Sequence, residues 1–477
     1  MRREINLMHK LFLNVSALAL LLPAALAAQP LPEAVRSALQ QAGVAESDFH
    51  AVVRPLSGAT GLALEAGADE PVLTASVFKV VTSAAALDRF GPAKTWRTAF
   101  LAEKLPDEEG RIPALYVKAS GAPWIPVSDF REAVSRLRGA GVKAIEGPLV
   151  IDRSVFGEPP IDPAAFDGEP FRPYNQGPDA FALGLQSVTY YFSPDAASGV
   201  ARVTHVPVLS GYSAPAEIAL AEGPCPSNLT RALLPEGGAS GIRFKGAYPR
   251  ACGARAWSAV PWPGAWFGDR YAGETFRVLW QETGGGWSGA AESGLVPDGA
   301  RELLAFASKP LSDIVKDINK ESINPMARSL FLLLSSQEGG PGTLEASRKA
   351  LSGWLEEKGI DVAGFAPDNG SGLSRTERAS ARQIAGVLAV GYNAWWAPEF
   401  LASLPIAGVD GTMKRRGIAG GSARMKTGYI RGVRSAAGYV KAASGAWYAV
   451  CAIINSPAAL QGGRAIDALL ESVAEGG

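Results

Sequence analysis

The apolar pattern of this chain changes period twice, near residues 95 and 300, and any fold proposed for it has to accommodate both changes. Up to about residue 95 the texture is mainly helical. Apolar residues over 31–42 follow a helical period, and 52–64 is strand-like but broken by Gly58 and Gly61. In 74–87, Val77, Val80, Val81, Ala84 and Leu87 mark one helix face that runs to the Phe90-Gly91-Pro92 turn. Thr74 or Ser76 can cap that helix, which puts Ser76 in its first turn. From about 95 to 300 short alternating strands separated by Gly, Pro and Asp turns take over, with one clear helix at 129–140. Helices then return at 310–320, 325–336 (Pro325 in the first turn), 343–358 and 380–392. Three strands at 424–430, 434–441 and 447–454, joined by short turns, read as an antiparallel meander, and a helix at 464–474 closes the chain.

Composition removes whole classes of function. The 477 residues carry 46 basic and 46 acidic side chains, and the longest basic cluster is Lys414-Arg415-Arg416. Nucleic-acid binding by phosphate neutralisation is therefore excluded. Hydrophobic residues at 47% against 19% charged exclude disorder and supply a core. Only three histidines occur, at 9, 50 and 205, and there is no G-x-S-x-G, H-E-x-x-H or C-x-x-C. A Ser-His-Asp hydrolase and a zinc hydrolase are both disfavoured, so the expectation is no metal, no cofactor, and a lysine or carboxylate as the base of any hydrolytic chemistry. Gly284 to Gly289 satisfies G-x-G-x-x-G, but it follows a helix-like stretch and opens onto no helix, so it does not signal a dinucleotide site.

Arg2, Arg3 and Lys10 precede an apolar run over 11–22, and Pro23 leads into a small-residue stretch ending at Ala28. The run is broken by Asn14 and Ser16, which favours a leader cleaved after Ala27 or Ala28 over a membrane anchor. No other segment is long and apolar enough to span a bilayer, and export into a bacterial periplasm is expected. In that compartment Cys225 and Cys252, which bracket a Pro/Gly-punctuated stretch, can form a disulfide, whereas Cys451 sits in an apolar run as a buried thiol.

Three short motifs carry chemistry. Ser76-Val77-Phe78-Lys79 puts a hydroxyl and an amine three apart on one helix face, close enough for proton transfer, although about one S-x-x-K arises by chance in a chain of this length. Ser322-Ile323-Asn324 lies at the joint between two predicted helices, and Lys426-Thr427-Gly428 opens a predicted strand, where Gly428 leaves room for a substrate backbone. The three in this order, each in the local structure that the mechanism requires, form a specific constellation.

On these motifs the sequence resembles the penicillin-recognising serine D,D-peptidases and β-lactamases. The 246 positions between Ser76 and Ser322 narrow the resemblance to the class C low-molecular-mass penicillin-binding proteins, the D-alanyl-D-alanine carboxypeptidase/endopeptidase family. Leu115-Tyr116, 147–152, Pro173-Tyr174-Asn175, 368–375 and 404–411 agree with it. The resemblance implies an α+β fold, an α/β sandwich of the β-lactamase/transpeptidase type with an antiparallel sheet flanked by helices. It further implies a removable leader at 1–28, a discontinuous catalytic domain from 29–95 and 300–477, and a β-rich insertion at 96–299.

The implied activity is cleavage of D-Ala-D-Ala termini or cross-links in peptidoglycan stem peptides through an acyl-enzyme, with β-lactams as inhibitors. Ser76 is then the nucleophile and Lys79 the base, kept neutral by burial and by Lys426. The N–H groups of Ser76 and Tyr429 form the oxyanion hole. Ser322 relays the proton, Asn324 holds Lys79 and the substrate amide, and Lys426, Thr427 and Arg375 face substrate carboxylates. Departures from the family pattern are Ile323 for Asp, Gly121-Ala122-Pro123 for Gly-Asp-Pro, and Tyr429 for a hydroxyl residue. The rival readings are a serine β-lactamase or esterase, against which the long insertion argues, and a catalytically silent wall-binding protein, against which the intact Ser76, Lys79 and Lys426 argue.

Overall fold

The computed structural model describes residues 30–56, 62–262, 267–336, 340–417 and 422–476. The expected leader lies outside the described residues. Five antiparallel strands form one sheet in the order Leu64–Ala66, Phe49–Pro55, Trp447–Asn455, Val433–Lys441 and Ala423–Ile430. The last three make the expected meander, each within one residue of the predicted limits. The predicted strand 52–64 is instead two strands, and the first of them pairs across the molecule, Phe49 with Ile454 and Pro55 with Tyr448.

Alternation along these strands feeds two cores. Ala51, Val53, Val450, Ala452 and Ile454 face the helices Glu33–Ala42 and Gly463–Gly476, which contribute Val35, Leu39, Ile466, Leu469 and Leu470. Val52, Ala449, Cys451 and Ile453 face the opposite side, against the helices Lys79–Phe90 and Ala381–Asn393. A sheet covered on both faces requires apolar residues at odd and even positions alike, which is why 447–454 reads as an unbroken apolar run. Cys451 is fully buried, and burial raises its thiol far above the ordinary value.

The expected helices appear as Leu311–Glu321, Asn324–Leu333, Leu344–Glu357 and Ala381–Asn393. Thr343 caps the third by accepting from the Ala346 N–H, and Ser380 with Gln383 forms a reciprocal capping box on the fourth. The helix Ala397–Ser403 was not foreseen; seven residues are too few to display a period, and only its early Pro398 announced it.

Between these parts, strands Arg97–Ala102 and Arg301–Ala307 pair antiparallel, Arg97 against Ala307 and Ala102 against Arg301, so the chain leaves and returns at one place. They join a mixed sheet with Leu115–Lys118, Leu149–Asp152 and Ala291–Ser293. A further five-stranded sheet, built around Val188–Asp195, packs Tyr190 on Trp257 and Phe192 on Tyr248. Cys225 and Cys252 are disulfide-bonded across a short helix and a hairpin. The interval holds two substantial helices, Val127–Gly139 and Gly268–Glu282, where the sequence displayed one clearly. The second buries Tyr271, Ala272, Thr275, Phe276, Leu279 and Trp280, a helical period obscured by the surrounding glycines. Gly284, with φ +77°, ends the turn after that helix, and a strand, Gly286–Trp287, follows it. Among the described residues no helix is long and apolar enough to cross a membrane.

The closing helix anchors the sheet through side chains with no exposure. Leu469→Ala is expected to lower the unfolding free energy by about 2–5 kcal/mol, read as a reduced denaturant midpoint.

Candidate active site

Ser76 lies in a 3-10 turn, Ala75–Phe78, that runs directly into the helix Lys79–Phe90. Neither Thr74 nor Ser76 caps the helix, contrary to expectation. The Thr74 hydroxyl donates to the Ala75 carbonyl at 3.2 Å, and the Ser76 hydroxyl is instead 2.9 Å from the Lys79 amine. Lys79 has no exposure, while Ser76 remains partly accessible. The Lys79 Nζ also donates to Asn324 Oδ1 at 2.6 Å and to the Ser371 carbonyl at 2.5 Å. Asn324 is oriented by its own Nδ2, which donates to the Tyr174 carbonyl at 2.9 Å and thereby turns Oδ1 toward the lysine.

Burial, and then the Lys426 and Arg328 charges, hold Lys79 well below the usual lysine value, with Glu377 opposing them. A neutral amine whose two N–H bonds go to acceptor-only groups keeps its lone pair for the third neighbour, the Ser76 hydroxyl.

Ser322 ends the helix Leu311–Glu321 in the left-handed conformation, φ +60°, and Asn324 with Pro325 opens the next helix. This tight joint sends the two polar side chains to different lysines, because Ser322 Oγ accepts from Lys426 at 2.9 Å. Lys426 is fully buried although it lies on the sheet's edge strand, and burial brings it down to about 7. Its amine also donates to the Thr427 carbonyl at 2.7 Å.

The other residues singled out from the sequence lie around this cluster. The Thr427 hydroxyl donates to Thr412 at 2.7 Å, and Tyr429 is exposed further along the strand. Arg375 is exposed, donates to the Arg431 carbonyl at 2.9 Å and lies 5.0 Å from the Phe166 ring centre. Gly428 corrects the expectation. A Cβ there would stand 2.3 Å from Ser435 Oγ, 2.9 Å from the Thr74 carbonyl and 3.0 Å from the Ser76 nitrogen. The close approach that demands glycine is thus made by the turn that carries Ser76.

Sequence reasoning missed Ser371, Arg328 and Glu377. Glu377 is buried, and it accepts four backbone N–H bonds: Oε1 from Asp368 (2.9 Å), Asn369 (3.1 Å) and Gly370 (2.8 Å), and Oε2 from Gly372 (2.6 Å). That carboxylate shapes the loop whose Ser371 carbonyl holds Lys79 and whose Gly370 carbonyl accepts from Thr82 at 2.7 Å. Burial raises its pKa against the pull of the same amides. Arg328 is buried, donates to the Asn175 and Gln176 carbonyls at 3.1 and 2.6 Å, and is brought down to about 10 by burial. The available signals were a lone arginine in an apolar helix and a glutamate just beyond a Gly/Ser/Asn loop.

Glu377→Gln places an NH2 group against backbone donors. The serine acylation rate is expected to fall about 10- to 100-fold, by about 1.4–3 kcal/mol of barrier, with the far-UV circular dichroism unchanged.

A model of the D-Ala-D-Ala carboxypeptidase 3 (S13) family matches residues 31–473. A D-alanyl-D-alanine carboxypeptidase of Actinomadura sp. (strain R39) is 28% identical over 401 residues, covering 79% of this chain and 72% of that relative. The D-alanyl-D-alanine carboxypeptidase DacB of Haemophilus influenzae is 25% identical over 396 residues, 80% of each chain. The crystal structure of penicillin binding protein 4 (dacB) from Haemophilus influenzae has the same fold, with a TM-score of 0.70 at 22% identity over 92% of this chain and 99% of that one.

Proposed function

This chain belongs to the D-Ala-D-Ala carboxypeptidase 3 (S13) family, and from that membership we propose that it is a serine D,D-peptidase of peptidoglycan that is acylated by β-lactams at Ser76. The observation that carries the reading is the Lys79 amine, 2.9 Å from Ser76 with its N–H bonds committed to Asn324 and Ser371. Lys79 takes the Ser76 proton as the oxygen attacks the carbonyl between two D-amino acids. The N–H groups of Ser76 and Tyr429 receive the oxyanion; the proximity of the Ser76 nitrogen to position 428 supports that pairing, and one such donor is worth about 3 kcal/mol of barrier. The proton taken up by Lys79 is relayed through Ser322, which is bonded to Lys426, to the departing amine, so that Lys79 is neutral again when water hydrolyses the acyl-enzyme.

Lys426 and Thr427 meet the carboxylate of the leaving residue, and Arg375 adds positive field at the exposed rim. The strand Ala423–Ile430 is at the edge of its sheet, and beyond Met425, whose edge is taken by Pro405 and Ala407, an extended stem peptide has room to lie along it. Residues 29–95 and 300–477 serve as the catalytic unit and 96–299 as an insertion. The leader at 1–28 and the disulfide suit a protein exported to the periplasm, where stem peptides are found.

Labelled penicillin is expected to attach to the wild-type protein and not to Ser76→Ala, with gel fluorescence as the readout; uptake by the variant, or none by the wild type, overturns the reading. The two lysines also fix a pH profile. The base must be neutral, so kcat/KM climbs with pH as Lys79 loses its proton. The carboxylate anchor must be charged, so kcat/KM declines as pH rises past about 7, where Lys426 titrates. Lys426→Arg is expected to remove the alkaline limb while preserving the acid one.

A further inference from the structure

The inserted region contains a cavity of about 410 Å3, bounded by the end of strand Leu149–Asp152, the segment 176–180 and the first turn of helix Gly268–Glu282. Its size falls in the range of about 300–1,000 Å3 typical of small-molecule sites. Two of its lining side chains carry buried donors with no partner, Gln176 Nε2 and Arg153 Nη2. Gln176 is only 4% exposed. The rest of the Arg153 guanidinium is committed, Nε to Asp179 at 2.8 Å and Nη1 to Asp269 and Ser293 at 2.5 and 3.1 Å.

Arg153 Nη2 lies 3.4 Å from where a Cβ on Gly268 would stand, and the helix that begins there has no side-chain cap. The unpartnered guanidinium N–H therefore lies beside the first residue of that helix, at that end of the cavity. Each buried donor left unmade costs about 1–3 kcal/mol, which favours a ligand that brings oxygen acceptors.

The charges restrict what those acceptors can be. Asp179, Asp269 and Glu158 line the same cavity against the single cation Arg153, so an anion is repelled and an uncharged carbonyl or hydroxyl oxygen is favoured. Leu295 at 71% exposure and Ile161 at 38% supply an apolar rim. Donors for oxygen beside an apolar lip fit an acetamido group on a hydroxylated ring. The backbone links this cavity to the catalytic cluster. The Tyr174 carbonyl holds Asn324, and the Gln176 side chain lines the cavity only two residues, about 7 Å of chain, further on.

We propose that this cavity binds an N-acetylated amino sugar of the glycan strand whose stem peptide lies at Ser76. The inference rests on the D,D-peptidase reading. A five-residue stem spans at most about 17 Å, so the sugar it carries stays close to the peptide held at Ser76.

The test uses full-length mature protein, N,N'-diacetylchitobiose as the probe, and saturation-transfer NMR. Binding is expected to the wild type and to Ser76→Ala, and to be lost in Gln176→Leu and Leu295→Glu; Leu295 is exposed, so its variant keeps the core intact. In kinetics, a disaccharide-bearing pentapeptide is expected to show a KM about tenfold lower than the bare pentapeptide, and Leu295→Glu to abolish that difference while the bare peptide is cleaved as before. Absence of chitobiose binding to the wild type, or equal loss of both substrates in Leu295→Glu, overturns the proposal. The two readings fail separately. Sugar binding is measured without turnover, so a protein that refuses penicillin and binds chitobiose loses only the peptidase reading, and one that takes up penicillin and ignores the sugar loses only this one.

Discussion

A lysine amine removed entirely from water needs either a partner for every proton or a lowered affinity for one of them, and Lys79 meets both conditions at once. Its acceptors come from residues 245 and 292 positions away in the sequence, so the helix joint at Asn324 and the loop at Ser371 must both be in place before the amine can be buried. Each partner in turn depends on another: Asn324 on the Tyr174 carbonyl, Ser371 on the four amide bonds gathered by Glu377. Backbone strain surrounds the same point. Ala75 and Ser322 both adopt left-handed conformations, at roughly 1–3 kcal/mol each. A Cβ on Gly372 would fall 1.9 Å from the Ala75 carbonyl. The turn that carries Ser76 is thus clamped between a glycine of the loop and a glycine of the edge strand.

What could be read from the sequence was what local spacing encodes. Ser76 and Lys79 declare themselves because three residues of helix bring them together, Ser322 and Asn324 because proline fixes where the second helix starts, and the C-terminal meander because short turns leave adjacent strands little choice of partner. Charges whose role depends on burial did not declare themselves. Arg328 and Glu377 look like ordinary surface residues of a helix and a loop, yet both are enclosed and both act on Lys79 through space. Gly428 was recognised for the right property and the wrong neighbour, since a need for a missing Cβ is visible in sequence but the atom that needs the space is not. The strand expected over 52–64 was misplaced for a related reason: the stretch reads as strand-like, whereas the place of Phe49–Pro55 beside Trp447–Asn455 is a long-range choice.

The chain's overall neutrality conceals a concentration of charge. Three basic side chains, Lys79, Lys426 and Arg328, are enclosed together against Glu377, and burial weakens the proton affinity of each of the three. The arrangement is unfavourable for stability and suited to chemistry, because an amine kept without its extra proton near neutral pH has a free lone pair to receive one from a bonded hydroxyl.

The pairing of the first long strand with the last has a consequence in time. About 400 residues separate Phe49–Pro55 from Trp447–Asn455, and at synthesis rates of about 5–20 residues per second some 20–80 seconds pass before the later strand exists. Throughout that interval the early strand carries an unsatisfied edge. The intervening region, closed by its own paired strands at Arg97–Ala102 and Arg301–Ala307, can condense meanwhile and bring the segments on either side of it within reach of each other. Whatever escorts the growing chain has to shield seven residues near its beginning until nearly all the others have been made.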